Sequence, residues 1–189
     1  MIKNILALLG AVVLVVMIGA YAVMGPKVAK LDDGAMPAFM DMFDKVLTDG
    51  DPAKAMMKEY KIQEDVSNED VIESIKALAE EYNMRVVGDT KMFNIPDAKP
   101  GQVKFVENVS LCSLHIAKKF LNHSRYFGGF MPCRIMLVEY GNGERFLVTM
   151  DLTLAIHGGF PLNDEMLDLA TKVQKAMDEI PERAAKGDF

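Results

Sequence analysis

The sequence predicts an α+β fold, a two-layer sandwich of a small antiparallel-rich sheet and helices, preceded by one transmembrane helix. Three observations carry that expectation. The run from Ile5 to Met24 contains no charged residue. After it, stretches of helical period alternate with stretches of period two. Between two of the latter stands Asn142-Gly143, a strong hairpin signal because both residues tolerate the positive φ of a type I′ turn.

The apolar run comes first. At about 1.5 Å per residue, Ile5–Met24 would reach about 30 Å, the thickness of a bilayer's hydrocarbon core. Lys3 precedes it, and Lys27 and Lys30 follow. A cleaved signal peptide is the alternative, since Ala20-Tyr21-Ala22 offers a small-x-small site. The run exceeds the ~7–15 residues of a usual signal core, so an uncleaved anchor over residues 1–24 is expected. Lysines at both ends nearly balance the positive-inside rule. A short head most simply stays inside, which in a bacterium gives a single-pass protein of the inner (cytoplasmic) membrane with a periplasmic C-terminal domain.

Residues 25–57 read as a linker and a Met-rich amphipathic helix. Met36, Met40, Phe43 and Leu47 recur at steps of four, three and four, widened by Phe39 and Val46. Asp49-Gly50-Asp51-Pro52 stops the helix. The α+β domain is expected over 58–181. Lys58–Val66 alternates like a strand. Ser67 or Asn68 then caps a helix with the buried stripe Val71, Ile75, Leu78 and Tyr82. "MRVVGDTKMF" is a second strand, "NIPDAKPGQ" a loop, and "VKFVENV" a short strand leading into a helix "SLCSLHIAKKFLN". The hairpin follows, then a loop "DLTLAIHGGFPLN" and a closing helix on Met166, Ala170, Val173, Met177 and Ile180. Residues 182–189 form a frayed tail.

Composition removes some functions. A formal charge of −6 and a pI near 5.1 argue against nucleic acid, whose phosphates demand clustered Lys and Arg. Two cysteines are too few for a disulfide scaffold. Gly141-Asn142-Gly143 lacks the context of a nucleotide loop, and His157-Gly158-Gly159 has no G-x-S-x-G beside it. Asp164, Glu165 and Asp168 read as helix-start charges, and Glu139 as a cross-strand partner of Arg145.

The sulfurs are the remaining chemistry. With Asn142-Gly143 as a two-residue turn, Ile135 falls opposite Met150, and Cys133 lies diagonal to Met150 on one face. A three-residue loop would break that relation. On the expected helix, Cys112 and His115 stand at i and i+3 and share a face. Convergence of Cys112, His115, Cys133 and Met150 would offer soft ligands for copper, zinc or haem iron. Two other readings stand beside it: plain core packing, and a Cys112–Cys133 disulfide that would stabilise by about 3 kcal/mol.

At these residues the span from Lys58 to Ile180 resembles the uncharacterised bacterial family "domain of unknown function 302". The pieces that carry the resemblance are "LCSLHIAKKFL", "MPCRIMLVEYGNGERFLVTMD" and the closing helix. They place its pattern on Cys112, Ala117, Pro132, Cys133, Glu139, Met150 and Asp151. The resemblance implies a compact α+β fold, often dimeric, with no established activity. The anchor, the Met-rich helix, the loop "NIPDAKPGQ" and the loop "TLAIHGGF" depart from it.

Two functional expectations follow. One is a membrane-anchored accessory module without catalysis of its own, held by Ile5–Met24 in the lipid bilayer. It would dock on a membrane-protein partner, or on a second copy as a homodimer, through Met36, Phe39, Met40, Phe43 and Leu47. The other is a periplasmic thiol-redox or soft-metal (copper or haem) binding protein using Cys112, Cys133, Met150 and His115.

Overall fold

The computed structural model describes residues 2–189. Helix α1 (Ile2–Val28) buries none of its residues and is long and apolar enough to cross a membrane. Helix α2 (Ala35–Asp49) ends at Gly50, whose φ of 70° is the left-handed conformation of a helix C-cap; its N–H bonds Val46 O. The expected stop is also a start. Asp51 accepts from the N–H groups of Ala53 and Lys54 and caps the one-turn helix α3 (Pro52–Ala55).

The domain is the predicted α+β sandwich. Its sheet is open, five-stranded and antiparallel, ordered β1-β5-β4-β3-β2. The strands are β1 (Met57–Lys61), β2 (Arg85–Asn94), β3 (Val103–Cys112), β4 (Cys133–Tyr140) and β5 (Arg145–Met150). One face packs on helices α4 (Asn68–Glu81) and α7 (Asp164–Ala184). Ile75 and Leu78 of α4, Leu111, Ile135, Leu137 and Leu147 of the sheet, and Met177 and Ile180 of α7 are all fully buried there. Each such side chain stabilises the fold by roughly 1.5–3 kcal/mol. A smaller cluster, Phe120, Ile156, Met166 and Ala170, gathers around α5 (Leu114–His123) and α6 (Thr153–His157). Leu152 touches both clusters.

Several elements differ from expectation. The first strand stops at Lys61 rather than Val66, because Gln63 N–H turns away to bond Ala185 C=O. β3 is longer than "VKFVENV" and takes in Cys112, so Cys112 is a strand residue and the helix begins at Leu114. Pairing on both sides extends it: Leu111 lies between Val86 and Cys133. The segment after β5 contains α6 rather than only loop. The tail is docked, not frayed. Helix α7 runs through Pro181 to Ala184, and Ala184 and Ala185 are buried. Beyond them Ser74 Oγ donates to Asp188 O.

The hairpin turns through three residues, not two. Glu139 pairs with Arg145 and Ile135 with Thr149, leaving Gly141-Asn142-Gly143 as the loop. Gly143, at φ 87°, supplies the left-handed residue of a three-residue hairpin loop. Gly141 is pressed on the turn before β3, where a Cβ would sit 2.3 Å from Ala98 O and Lys99 O. Glu139 and Arg145 are register partners, but the ion pair of Glu139 is with Lys104, at 2.6 Å. Arg145 instead donates to Val66 O, Gln63 O and Asn68 Oδ1.

Candidate functional site

The one-residue change of register decides what the sulfurs can do. Side chains alternate between faces along a strand. Cys133 shares the inner face with Ile135, and Met150 takes the face opposite to Thr149, which is paired with Ile135. By register Cys133 and Met150 point to opposite faces of the strand pair, but at the end of the sheet both border one chamber. With Cys112 ending β3 and the helix starting at Leu114, Cys112 and His115 do not share a helix face. His115 is exposed on α5 and is not among the residues that wall the pocket beside the thiols. Among the described residues, no three His, Cys, Asp or Glu side chains are grouped to hold a metal ion.

Cys112 and Cys133 do come together. Both are free thiols on the wall of one apolar pocket of about 80 Å³, between the end of the sheet, α5, α6 and α7. Ile116 and Phe120 of α5, Ala155 and Ile156 of α6, and Phe130 of the 3-10 turn Arg125–Phe130 close it. Phe120 meets Phe127 edge-on with ring centroids 4.9 Å apart, which stiffens that wall. Burial pushes the Cys133 thiol up to about 11, and the neighbouring Cys112 adds to the shift. Burial raises Cys112 as well. Both sulfurs stay protonated near neutral pH and behave as apolar wall atoms rather than nucleophiles.

The Met-rich helix is placed with its apolar stripe outward. Ala35 and Ala38 are buried against the domain, whereas Met36, Phe39, Met40, Phe43 and Leu47 are 41–69% exposed. Met42, which falls off the stripe in the sequence, turns inward. The helix is held at its start by contacts that the sequence did not signal. Asp32 N–H donates to Gly159 O at 2.9 Å, and Asp32 Oδ1 lies 3.0 Å from His157 Nδ1. The Gly34 N–H bond to that carboxylate, with help from His157, keeps the Asp32 pKa below the usual range despite some desolvation.

A second polar cluster was equally invisible. Glu107, only 4% exposed, hydrogen-bonds Asp89, which is paired with Lys76 at 2.6 Å. Burial and Asp89 hold the Glu107 carboxyl above the ordinary range. Burial resists the charge on Asp89, but Lys76 and Glu107 outweigh it and lower that pKa. No side chain of this cluster reaches the apolar pocket.

These features define a class: an α+β domain with one helix layer, an apolar pocket at one sheet end, and an N-terminal apolar helix in front. Residues 58–184 match the family model "Domain of unknown function DUF302", and the chain belongs to that family. A solved structure, an uncharacterized conserved DUF302 protein from Bacillus stearothermophilus, has the same fold at 12% identity and a TM-score of 0.51. The match covers 68% of this chain and 98% of that one. Among curated proteins, none matches the chain.

Proposed function

We propose that this protein is a membrane-anchored accessory module. In this reading α1 crosses the cytoplasmic membrane, the DUF302 domain lies on the periplasmic side, and α2 docks on a neighbouring membrane subunit. One observation carries it. A helix whose small residues are fixed to the domain leaves five large apolar side chains in water, next to a helix able to enter a bilayer. Burying such side chains is worth roughly 1.5–3 kcal/mol each when complete, so a partner covering the stripe gains several kcal/mol. Amphipathic helices recognised by a groove present this pattern of anchors.

The test is a photo-crosslinking amino acid at Phe43 or Leu47 of the full-length protein in native membranes. The expected result is one discrete heteromeric product that Met40→Asp abolishes. A product of two chain masses replaces the partner with a homodimer. Absence of any protein adduct overturns the reading.

The second reading, a thiol-redox or soft-metal binding protein, draws on one observation: Cys112 and Cys133 share a pocket wall. Native mass spectra of protein purified without reductant test it. Copper or haem that is lost in Cys133→Ser supports it, whereas a mass lighter by two hydrogens makes the pair a structural staple and favours the accessory module. Two free thiols with no adduct remove it.

A further inference from the structure

The pocket beside the thiols is not isolated. A second chamber of about 190 Å³ shares Phe130, Cys133 and Leu152 with it. A third, of about 320 Å³, lies between α2 and α6 and shares Phe130, Met57 and Met150 with the second. Phe130 stands at the junction of all three and is 40% exposed. The chambers thus lead from the two thiols, around the end of the sheet, to the inner side of α2.

We propose that these chambers form one groove for a single long alkyl chain drawn from the bilayer. A neutral or cationic head group that donates hydrogen bonds would sit at the α2 end. Three observations converge on that ligand. The first is size and lining. An apolar cavity of about 150 Å³ admits a benzene ring, and two of these chambers are larger. Their linked, bent course suits a flexible chain better than a rigid ring. Met57, Met136 and Met150 line the middle, where thioether side chains adapt to an irregular guest.

The second observation is position. The outer chamber is walled by Ala38 and Met42 of α2. Asp32, tied to Gly159 and His157, follows the last residue of α1, Val28, by four residues. Four residues reach at most about 14 Å. The α6 side of the domain, where the groove opens, is therefore tethered close to the end of the membrane helix. The third is charge. Asp41, Asp151 and Thr153 line the outer chamber, and the two lysines whose charges reach Asp151 are each engaged by a carboxylate, Lys45 by Asp41 at 2.7 Å and Lys58 by Asp178 at 2.6 Å. Such a mouth offers acceptors and disfavours an anionic head. The inference leans on the membrane anchor of the proposed function but not on its protein partner.

The experiment uses the full-length protein in phosphatidylcholine nanodiscs doped with a monoacylglycerol whose chain ends in a diazirine. Adducts are mapped by peptide mass spectrometry after irradiation. The expected adducts fall on Ile116–Phe120 and Met131–Cys133 as well as on α1. Excess unlabelled monoacylglycerol should saturate the groove sites, and a fatty acid of equal length should compete at least tenfold less well. Ala155→Trp, at a wall shared by the first and third chambers, should cut groove adducts at least tenfold and leave α1 adducts unchanged. Adducts confined to α1 and the outer face of α2 overturn the groove alone. So does groove labelling in wild-type protein that does not saturate, whether or not Ala155→Trp folds. A lack of α1 adducts removes the anchored placement itself.

Discussion

Burial raises the Cys133 thiol from 9.0 to about 11, and the nearby Cys112 adds to it because two thiolates would repel. At pH 8 such a group is ionised to about one part in a thousand, against roughly a quarter for a free cysteine near 8.5. Alkylation proceeds through the thiolate. Cys133 in the folded protein should therefore react with iodoacetamide about two orders of magnitude more slowly than in urea. Its rate should keep rising tenfold per pH unit to beyond pH 10. A time course followed by peptide mass spectrometry checks this, and a plateau near pH 8 would contradict it. The sign for stability follows. The folded pKa is the higher one, so the neutral thiol's contribution is complete below about 9 and is lost as pH climbs through about 11. Asp32 runs the other way. Its folded pKa is depressed, so its contribution is present above the ordinary carboxylate value and is lost as pH falls through the lowered one.

At the scale of elements, α4 is the clearest case of sequence dictating structure. Ser67 accepts from Asp70 N–H while Asp70 accepts from Ser67 N–H, a reciprocal capping box. Ser67→Ala should destabilise the domain by about 1 kcal/mol, read as a shift of the urea midpoint with unchanged slope. Val71, Ile75 and Leu78 lie buried on the expected stripe, and the closing helix buries Met166, Ala170, Met177 and Ile180. Local period and caps sufficed for these helices. They did not suffice for the sulfurs. Whether Cys112 extends a strand depends on Val86 and Cys133 beside Leu111, a tertiary pairing that no local pattern records. The hairpin loop likewise packs Gly141 against Ala98 and Lys99, residues from another turn that no local pattern records. One added loop residue moved Met150 to the far face. The stripe of α2 was legible as a stripe and as a candidate docking face, but the contact that holds the helix start was not, because Asp32 and His157 are distant in sequence. Asp32→Ala should therefore raise amide exchange across residues 35–49 while α4 exchange stays unchanged. Equal exchange in both proteins would show that the Asp32–His157 contact does not hold α2.

The whole molecule closes through its C-terminus. Helix α7 starts in the cluster around α5 and α6 and ends over the sheet and α4, and Pro181, Ala184 and Ala185 extend the core past the point where proline would be expected to end a helix. Around them run connections to α4 and to the loop before it. Gln63 N–H bonds Ala185 O, Arg183 pairs with Glu81 at 2.9 Å and with Asp188 at 3.2 Å, and Ser74 bonds Asp188 O. Val66 touches the place where a Cβ on Gly187 would sit, at 3.0 Å, so the chain is closely fitted there. The exposed ion pairs contribute little singly. The buried alanines and the bonds to α4 and to the loop before it matter more, because removing them opens the core of the domain to water. A chain ended after Glu182 should lose about 2–4 kcal/mol, which for a domain of this size lowers Tm by roughly 5–15 °C. Arg183→Ala, which removes only the exposed pairs, should change Tm by no more than about 2 °C. Calorimetry of the two variants in the same detergent separates the contributions. Equal and small shifts would mean that the last seven residues are appended to the core rather than part of it.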